Sequence, residues 1–221
     1  NGRHPLLQDE GRLGKAESLV SGGVGFGCMH FGVEVPKDTA GSQFRDWIGG
    51  CYENQWSCNP IWDATFDQFP EHPITRGVAP FTIKDEWYFN MRFTDGFTAE
   101  GPSEIDGVKF TPLLVATPSD ETRDGPYVHP KGPYPHIQAE KGRKEAVMWA
   151  VERPDGGRGF GFTGGHFHVN WQNDAFRKII LNSLCWVAKV DVPAEGIASA
   201  PVSDEEINQN LDDKKPRRAA G

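Results

Sequence analysis

The sequence lacks any apolar run long enough to cross a membrane as a helix, which takes about 20 residues. It also has little positive charge: 23 Lys and Arg stand against 31 Asp and Glu, which gives a formal net charge of -8. With no basic stripe to neutralise phosphates, nucleic acid is excluded as the expected partner. The one basic cluster, at residues 214–218, follows an acidic run at 204–206, so we interpret it as part of a solvated tail.

Cysteine is scarce, with four residues and no Cys-x-x-Cys pair, which excludes a zinc knuckle. Cys185 falls in an apolar helical pattern and is expected in the core. The sequence does not decide whether Cys51 and Cys58 form a disulfide, so cysteine usage does not decide the redox compartment. An N-terminal methionine and a signal peptide are also absent, and the first predicted element is a helix. We interpret this as a truncated N-terminus from which the first strand of the fold is missing.

Aromatic residues, in contrast, are abundant. Seven Trp and fourteen Phe occur among 221 residues, and they either fill a core or line a pocket that stacks on sugar rings. The length favours one domain. We predict an α/β domain over residues 1–192 and a flexible C-terminal tail over 193–221, with one short helix capped by Ser203.

The apolar pattern alternates between helical and extended segments. Helices are predicted at residues 6–21 and 42–48 and from Asn173 or Asp174 to about 187. Strands are predicted at residues 61–66, 81–93, 111–116, 145–151 and 157–164. Long connections at 94–108 and 119–143 are expected to be loops. This order predicts a doubly wound, mostly parallel sheet, with antiparallel additions where the tight turn at 154–157 allows no crossover.

The glycine-rich stretch at residues 22–32 is a buried strand that runs into a sharp turn. The carboxyl ends of strands in an open α/β sheet are where ligands bind, and His30 falls at such an end. His30 is therefore a candidate acid, base or metal ligand, with a histidine hydrogen-bonded into the turn as the alternative. Cys28 lacks the surroundings of a nucleophile elbow, which favours a buried thiol, although it stays a candidate substrate contact.

A second pair of histidines, His166 and His168, follows the last predicted strand. In extended chain both side chains project to the same face, as two ligands of one metal ion would. The alternative is that one faces a pocket while the other packs under Trp171. A divalent transition metal held by His30, His166 and His168 is therefore one hypothesis, and a site with no cofactor is the other.

Acidic and aromatic residues complete the candidate site. Only one of the neighbours Asp85 and Glu86 is expected to face inward, and Glu86 near His30 could orient the imidazole or share a proton. Tyr127 and Tyr134 lie in the long loop at 119–143, where they could form a lid that stacks on a sugar. The alternative for this loop is surface decoration.

Four segments carry recognisable patterns. Residues 25–30 read Gly-Phe-Gly-Cys-Met-His, and residues 47–52 read Trp-Ile-Gly-Gly-Cys-Tyr. Residues 72–77 read His-Pro-Ile-Thr-Arg-Gly and precede Lys-Asp-Glu-Trp-Tyr at 84–88. A glycine-rich strand at 157–166 ends in His166 and is followed by Trp171, Phe176 and Trp186. In this order, over residues 6–192, the segments resemble the ThuA-like (trehalose utilisation) family.

The resemblance implies a flavodoxin-like fold, shared with class I glutamine amidotransferases, and a soluble bacterial protein, cytoplasmic or exported. It implies an enzyme that acts on a glycoside, including an oxidised (3-keto) one, with a small carbohydrate as partner. His30, Glu86 and His166 would be catalytic, and Trp171, His168, Tyr127, Tyr134 and Cys28 would contact substrate. The alternatives are a non-catalytic sugar-binding module and a metal-dependent hydrolase. A glutamine amidotransferase is disfavoured because no His-x-Glu pair follows near the C-terminal helix.

Overall fold

The computed structural model describes residues 5–7, 9–209 and 211, and a five-stranded sheet forms its centre. The helices are α1 (Glu10–Ser21), α2 (Ser42–Ile48), α3 (Asp120–Asp124), α4 (Pro135–Gln138), α5 (Asp174–Val187) and α6 (Asp204–Ile207). The strands are β1 (Phe26–Met29), β2 (Gly50–Cys51), β3 (Trp62–Phe66), β4 (Phe81–Asp85), β5 (Arg92–Phe93), β6 (Ser103–Ile105), β7 (Val108–Ala116), β8 (Glu145–Glu152) and β9 (Arg158–Phe162).

The central sheet has the strand order β1-β9-β8-β7-β6. β1 and β9 are parallel, and the other three pairs are antiparallel. The predicted α/β class and its antiparallel additions are confirmed, although the antiparallel share of the described sheet is larger than predicted. Short turns account for two of these antiparallel pairs, because residues 106–107 join β6 to β7 and residues 153–157 join β8 to β9. In the second turn, Gly157 N donates to Asp155 Oδ1 over 2.6 Å.

β8 runs through the middle of the molecule and is buried at seven of its eight positions. Apolar side chains cover it from both faces, as expected for a strand between two layers of helix. On one face α5 contributes Phe176 and Ile179 to the core that contains Met148. On the other, α2 contributes Phe44 and Trp47 to a second core.

Helix ends follow the predicted signals. Asn173 caps α5, since its side-chain oxygen accepts from Phe176 N over 3.0 Å. α2 ends at Gly49, whose φ of 83° is left-handed and favours glycine. α1 begins at Glu10 rather than residue 6, because Asp9 is its N-cap.

The chain after residue 192 is not a free tail up to residue 209. Asn182 of α5 accepts a hydrogen bond from Ile197 N over 2.8 Å. Ser203 caps α6 through a capping box, and Ile207 is buried. The basic cluster at 214–218 lies outside the described residues.

Three segments differ from the sequence-based expectation. The predicted strand at 81–93 is divided, because β4 ends at Asp85 and β5 begins at Arg92. β6 interrupts the predicted loop at 94–108, and α3 and α4 interrupt the one at 119–143. All four cysteines are free, so Cys51 and Cys58 form no disulfide. Among the described helices none has the length and apolarity to span a membrane.

Candidate functional site

His30 stands where β1 ends and a 3-10 turn (His30–Val33) begins. Its φ of 46° is left-handed, a conformation that costs a non-glycine residue free energy and is held by its surroundings. The ring nitrogen Nδ1 lies 2.9 Å from the carbonyl oxygen of Thr163. A carbonyl only accepts, so Nδ1 carries a hydrogen and the neutral ring presents the lone pair of Nε2 to its other neighbours.

Asp85 and Glu86 lie at the end of β4, and both are buried, at 0% and 4% exposure. The expectation that only one of them faces inward is wrong. The strand ends at Asp85, so the alternation of a strand does not extend to Glu86. Each carboxylate therefore has its own buried surroundings.

Asp85 holds the loop that carries His166. Its carboxylate accepts from the backbone N–H groups of Gly165 at 2.7 Å, His166 at 3.0 Å and Phe167 at 3.3 Å. Asn170 Nδ2 donates to the same carboxylate over 3.0 Å. Asp85 is thus a positioning residue, because it fixes the backbone on which His166 stands.

Three side chains converge at the edge of the sheet. Glu86 Oε2 lies 2.6 Å from His166 Nδ1 and 3.6 Å from His30 Nε2. The two ring nitrogens lie 3.3 Å from each other. The other carboxylate oxygen, Oε1, accepts from Asn59 Nδ2 over 2.8 Å. One shared proton or one cation can satisfy three acceptor atoms that face each other in this way.

Burial sets the proton affinity of this cluster. It raises the pKa of Glu86 to about 7. The hydrogen bond from Asn59 lowers this pKa, whereas the nearby carboxyls of Glu34 and Asp85 raise it. Burial lowers the pKa of His30, an effect that the Thr163 carbonyl opposes. A carboxyl with a pKa near 7 exchanges its proton at neutral pH.

Tyr88 links the cluster to a second buried acid. Its hydroxyl lies 3.2 Å from His30 Nε2, and it is also hydrogen-bonded to Glu34. Burial raises the pKa of Glu34 as well. The hydroxyl of Tyr88 therefore lies between a carboxyl and the imidazole of His30.

The cluster opens into a cleft of about 580 Å³, a volume in the range of small-molecule sites. Aromatic, amide and acidic side chains share its wall with the cluster. They are Phe31, Glu34, Tyr52, Asn54, Asn59, Tyr88, Val128 and His129.

The cluster also has the donor set of a metal centre. One nitrogen of His30, one of His166 and one oxygen of Glu86 all lie within 4.8 Å of one another. Two imidazoles and a carboxylate are ligands of catalytic zinc and of non-haem iron. The hydrogen bond from His30 Nδ1 to a carbonyl is the outer contact that a ligating histidine usually makes. The residues therefore fit a divalent transition metal.

The model of the ThuA family, described as trehalose utilisation, matches residues 6–187. This chain belongs to the ThuA family. Membership implies a carbohydrate-related role.

A crystal structure of a ThuA-like protein from Bacteroides uniformis shares the fold. It superposes with a TM-score of 0.53 at 18% identity and covers 83% of this chain. This chain in turn spans 66% of that protein's length. Among curated proteins, none matches the sequence.

His168 does not join the cluster of this ThuA-family protein. It begins a 3-10 turn (His168–Gln172), so the two-residue period of a strand does not carry it to the side of His166. Within the described chain, Glu86 stands where the sequence-based metal hypothesis placed His168. Trp171 packs edge-on against Phe176, with ring centroids 5.2 Å apart, and is not among the residues that line the cleft.

The two tyrosines of the long connection are also away from the cleft. Tyr127 is only 1% exposed, and its hydroxyl donates to Arg123 O over 2.6 Å. Tyr134 stacks on His136, which stacks on Trp56 in turn. The connection does reach the site, but through Val128 and His129. The predicted lid residues therefore anchor this segment.

Cys28 is buried in β1, and burial raises the pKa of its thiol to about 12. A neutral thiol is a poor nucleophile, which agrees with the missing elbow sequence. Cys28 packs in the core beside the site and does not line the cleft.

Sequence reasoning missed Asn59, Glu34 and Tyr88. Asn59 orients Glu86 and also accepts from His129 N over 3.1 Å, so it joins the cluster to the long connection. Tyr88 lies in a segment that reads as apolar strand, and Glu34 follows a turn. The pattern Asp-Glu-x-Tyr at 85–88 was the available signal for Tyr88.

Proposed function

We propose that this ThuA-family protein is an enzyme that processes a glycoside or keto-sugar by acid–base chemistry in the cleft. The observation that supports it is the contact of 2.6 Å between Glu86 and His166, with the pKa of Glu86 raised to about 7. A carboxyl and an imidazole that share a proton near neutral pH form a general acid–base pair.

In this proposal Glu86 and His166 move the proton. When Glu86 is ionised, His166 Nδ1 holds the hydrogen between them, and when Glu86 is protonated, the carboxyl donates instead. His30 presents the lone pair of Nε2 and acts as the second base, with Tyr88 as its neighbour. A carbonyl on the sugar would favour this chemistry, because it acidifies the adjacent C–H bond and so eases cleavage of a C–O bond.

The experiment compares wild type with Glu86→Gln and His166→Asn on trehalose, other glycosides and their 3-keto forms, with products followed by NMR. We expect turnover to fall by at least a hundredfold in both variants. The matched control is Glu104→Gln, the same change at an exposed position of β6 on the opposite edge of the sheet. Sugar binding with no turnover of any substrate would point to a non-catalytic sugar-binding module. Turnover unchanged in both variants would reject the acid–base roles.

A metal-dependent hydrolase is the second candidate, favoured by the three donor atoms within 4.8 Å. His30, Glu86 and His166 would hold the ion, and a bound divalent metal would supply a Lewis acid and an activated water. Thr163 would fix the ligating tautomer of His30 through its carbonyl.

Elemental analysis of the purified protein separates the two candidates. One equivalent of zinc, iron or manganese, lost in His166→Ala and kept in His168→Ala, would support the metal-dependent reading. His168 is a matched control, because it is an exposed histidine two residues away and outside the donor group. Metal lost equally from both variants would reject the ligand set of His30, Glu86 and His166.

A further inference from the structure

A buried hydroxyl on the wall of the cleft has no hydrogen-bond partner. Tyr52 lines the cleft and is 3% exposed, and its hydroxyl makes no hydrogen bond to any residue in the described part of the chain. Burying a phenol without a partner costs free energy, which phenylalanine would avoid in nearly the same space. Buried polar groups in native structures are nearly always paired, so this hydroxyl lacks a partner that the free protein does not supply.

Its position separates Tyr52 from the other buried groups of this kind. Five described residues carry a buried side-chain atom without a hydrogen-bond partner, and they are Trp47, Tyr52, Ser103, Arg123 and Tyr134. Of these five, Tyr52 alone lines the cleft. The other hydroxyl among the described lining residues, that of Tyr88, already lies 3.2 Å from His30 Nε2. Tyr52 therefore provides the unused hydroxyl of this wall.

The backbone turns Tyr52 to the same side as Glu34. The two residues form a parallel bridge, in which Tyr52 N donates to Val33 O over 2.9 Å, and bridged residues project from the same face. The ring of Tyr52 packs edge-on against that of Tyr88, with centroids 5.1 Å apart. Burial raises the pKa of Tyr52, and the carboxyls of Glu34 and Glu86 raise it further. The hydroxyl therefore keeps its hydrogen at neutral pH and can both donate and accept.

We propose that the Tyr52 hydroxyl is a substrate contact, which forms a hydrogen bond with one hydroxyl group of a sugar in the cleft. This inference rests on the proposed carbohydrate function and adds a specificity-determining residue to it. The ring turns toward the cleft that it borders, and the new hydrogen bond removes the cost of the unpaired phenol. A sugar without this hydroxyl leaves the phenol unpaired and binds more weakly.

The first experiment measures sugar binding to wild type and Tyr52→Phe by ligand-observed NMR and calorimetry. The ligands are glucose, trehalose and the monodeoxy form of each at every position. We expect wild type to bind one monodeoxy form about tenfold more weakly than its parent, and Tyr52→Phe to bind the two equally. Discrimination that is absent from wild type, or unchanged in the variant, would overturn the inference while leaving the carbohydrate function standing. Binding of no sugar at all would overturn both.

Tyr134→Phe is the matched control for binding. The hydroxyl of Tyr134 also lacks a partner within the described residues, but Tyr134 does not line the cleft. Its removal should leave the affinity for the parent sugar and the discrimination against the monodeoxy form at their wild-type values. An equal loss of discrimination in Tyr134→Phe would show an indirect effect and overturn the assignment of the contact to Tyr52.

The stability of the free protein gives a second test, which needs no sugar. Tyr127 has a buried hydroxyl that donates to Arg123 O over 2.6 Å, so Tyr127→Phe should lower the melting temperature by about 2–4 °C. Tyr52→Phe removes a hydroxyl that has no partner to lose, so the melting temperature should stay the same or rise. A fall as large as that of Tyr127→Phe would show that the Tyr52 hydroxyl is already paired in the free protein and would overturn the inference.

Discussion

Two buried carboxylates of this protein have opposite surroundings. Glu145 Oε1 accepts from the guanidinium groups of Arg123 at 2.8 Å and Arg143 at 2.9 Å, and Oε2 accepts from Asn90 N at 3.1 Å. Glu86 instead faces two imidazoles, His30 and His166. Arginine keeps its charge at every pH that proteins encounter, whereas histidine gains or loses a proton near neutrality.

The difference separates an acid held by permanent charges from an acid that faces imidazoles. The carboxylate of Glu145, between two arginines, holds β8, α3 and the segment around Asn90 together. Burial raises the pKa of Glu86, and the two histidines that face it carry no permanent charge, so its oxygens remain available to a proton, a metal ion or a substrate. Both carboxyls are buried, so the two sites differ in the kind of side chain that faces each carboxyl: arginine at Glu145 and histidine at Glu86.

The largest effect is expected at Glu145. Glu145→Gln leaves Arg123, which is fully buried, without its countercharge, and we expect a loss of about 3 kcal/mol or more in the free energy of unfolding. Urea denaturation measures this loss, with Glu104→Gln as a control that should change it by less than about 0.5 kcal/mol. If Glu145→Gln lost less than about 1 kcal/mol in the free energy of unfolding, the contrast between Glu145 and Glu86 would be contradicted.

Glu86→Gln should stabilise the protein, by an amount that depends on pH. The pKa of Glu86 is 4.5 in the unfolded chain and about 7 in the native state, so the native state binds more protons between these values. Stability from this group therefore falls as the pH rises from 4.5 to 7, and above pH 7 its cost is complete. Gln does not titrate, so the variant avoids this cost and gains at most about 3 kcal/mol in the free energy of unfolding.

Thermal unfolding of Glu86→Gln at pH 5 and pH 8, with a chelator present, checks this prediction. The chelator keeps metal binding out of the comparison. We expect the variant to gain stability over wild type at pH 8 and little at pH 5. A gain of the same size at both pH values would show that the Glu86 proton is not the cause.

His72 extends the comparison to a histidine beside arginines. Burial, with Arg158 and Arg76 nearby, lowers its pKa to about 4, and its Nδ1 accepts from Ile74 N over 3.2 Å. The unfolded chain binds more protons between pH 6.5 and pH 4, so this contribution to stability is lost as the pH falls through that range.

His72→Asn keeps a capping acceptor and removes the titration. We expect wild type to lose about 1–2 kcal/mol more than the variant between pH 7 and pH 4.5, as measured by chemical denaturation. His168→Asn, at an exposed histidine, should follow wild type. Parallel pH curves for His72→Asn and wild type would contradict the role of His72.

The smallest effect is expected at an exposed ion pair. Lys141 Nζ lies 2.9 Å from Asp124 Oδ2, but both side chains are well exposed. Water and salt screen such pairs, so Lys141→Met should leave the melting temperature unchanged within error. A clear fall would show that exposed pairs also matter in this protein.

Local signals made much of the fold predictable. The helix at 42–48 ends at the glycine that the sequence indicates, and Asn173 caps α5 as its residue type favours. The hairpin between β8 and β9 follows from its turn residues. The end of β1 at His30 could also be read from the glycines around it.

The partners within the site were harder to predict, because they depend on where strands end. Glu86 faces inward only because β4 stops one residue earlier, and His168 leaves the cluster because a 3-10 turn begins there. The burial of Tyr127 depends on tertiary contacts, which no local sequence pattern predicts. Asn59 contacts Glu86 from 27 positions away, and sequence spacing carries no signal of that contact.

The wide spacing of the cluster also bears on how the candidate site forms during folding. His30 and His166 are 136 positions apart, and Glu86 comes from a third segment. Contacts between distant segments carry the largest loop-closure entropy and tend to form late in folding. The imidazole signals of His30 and His166 would therefore report completed folding. Nascent chains that end before residue 166 would carry only two of the three side chains of the cluster.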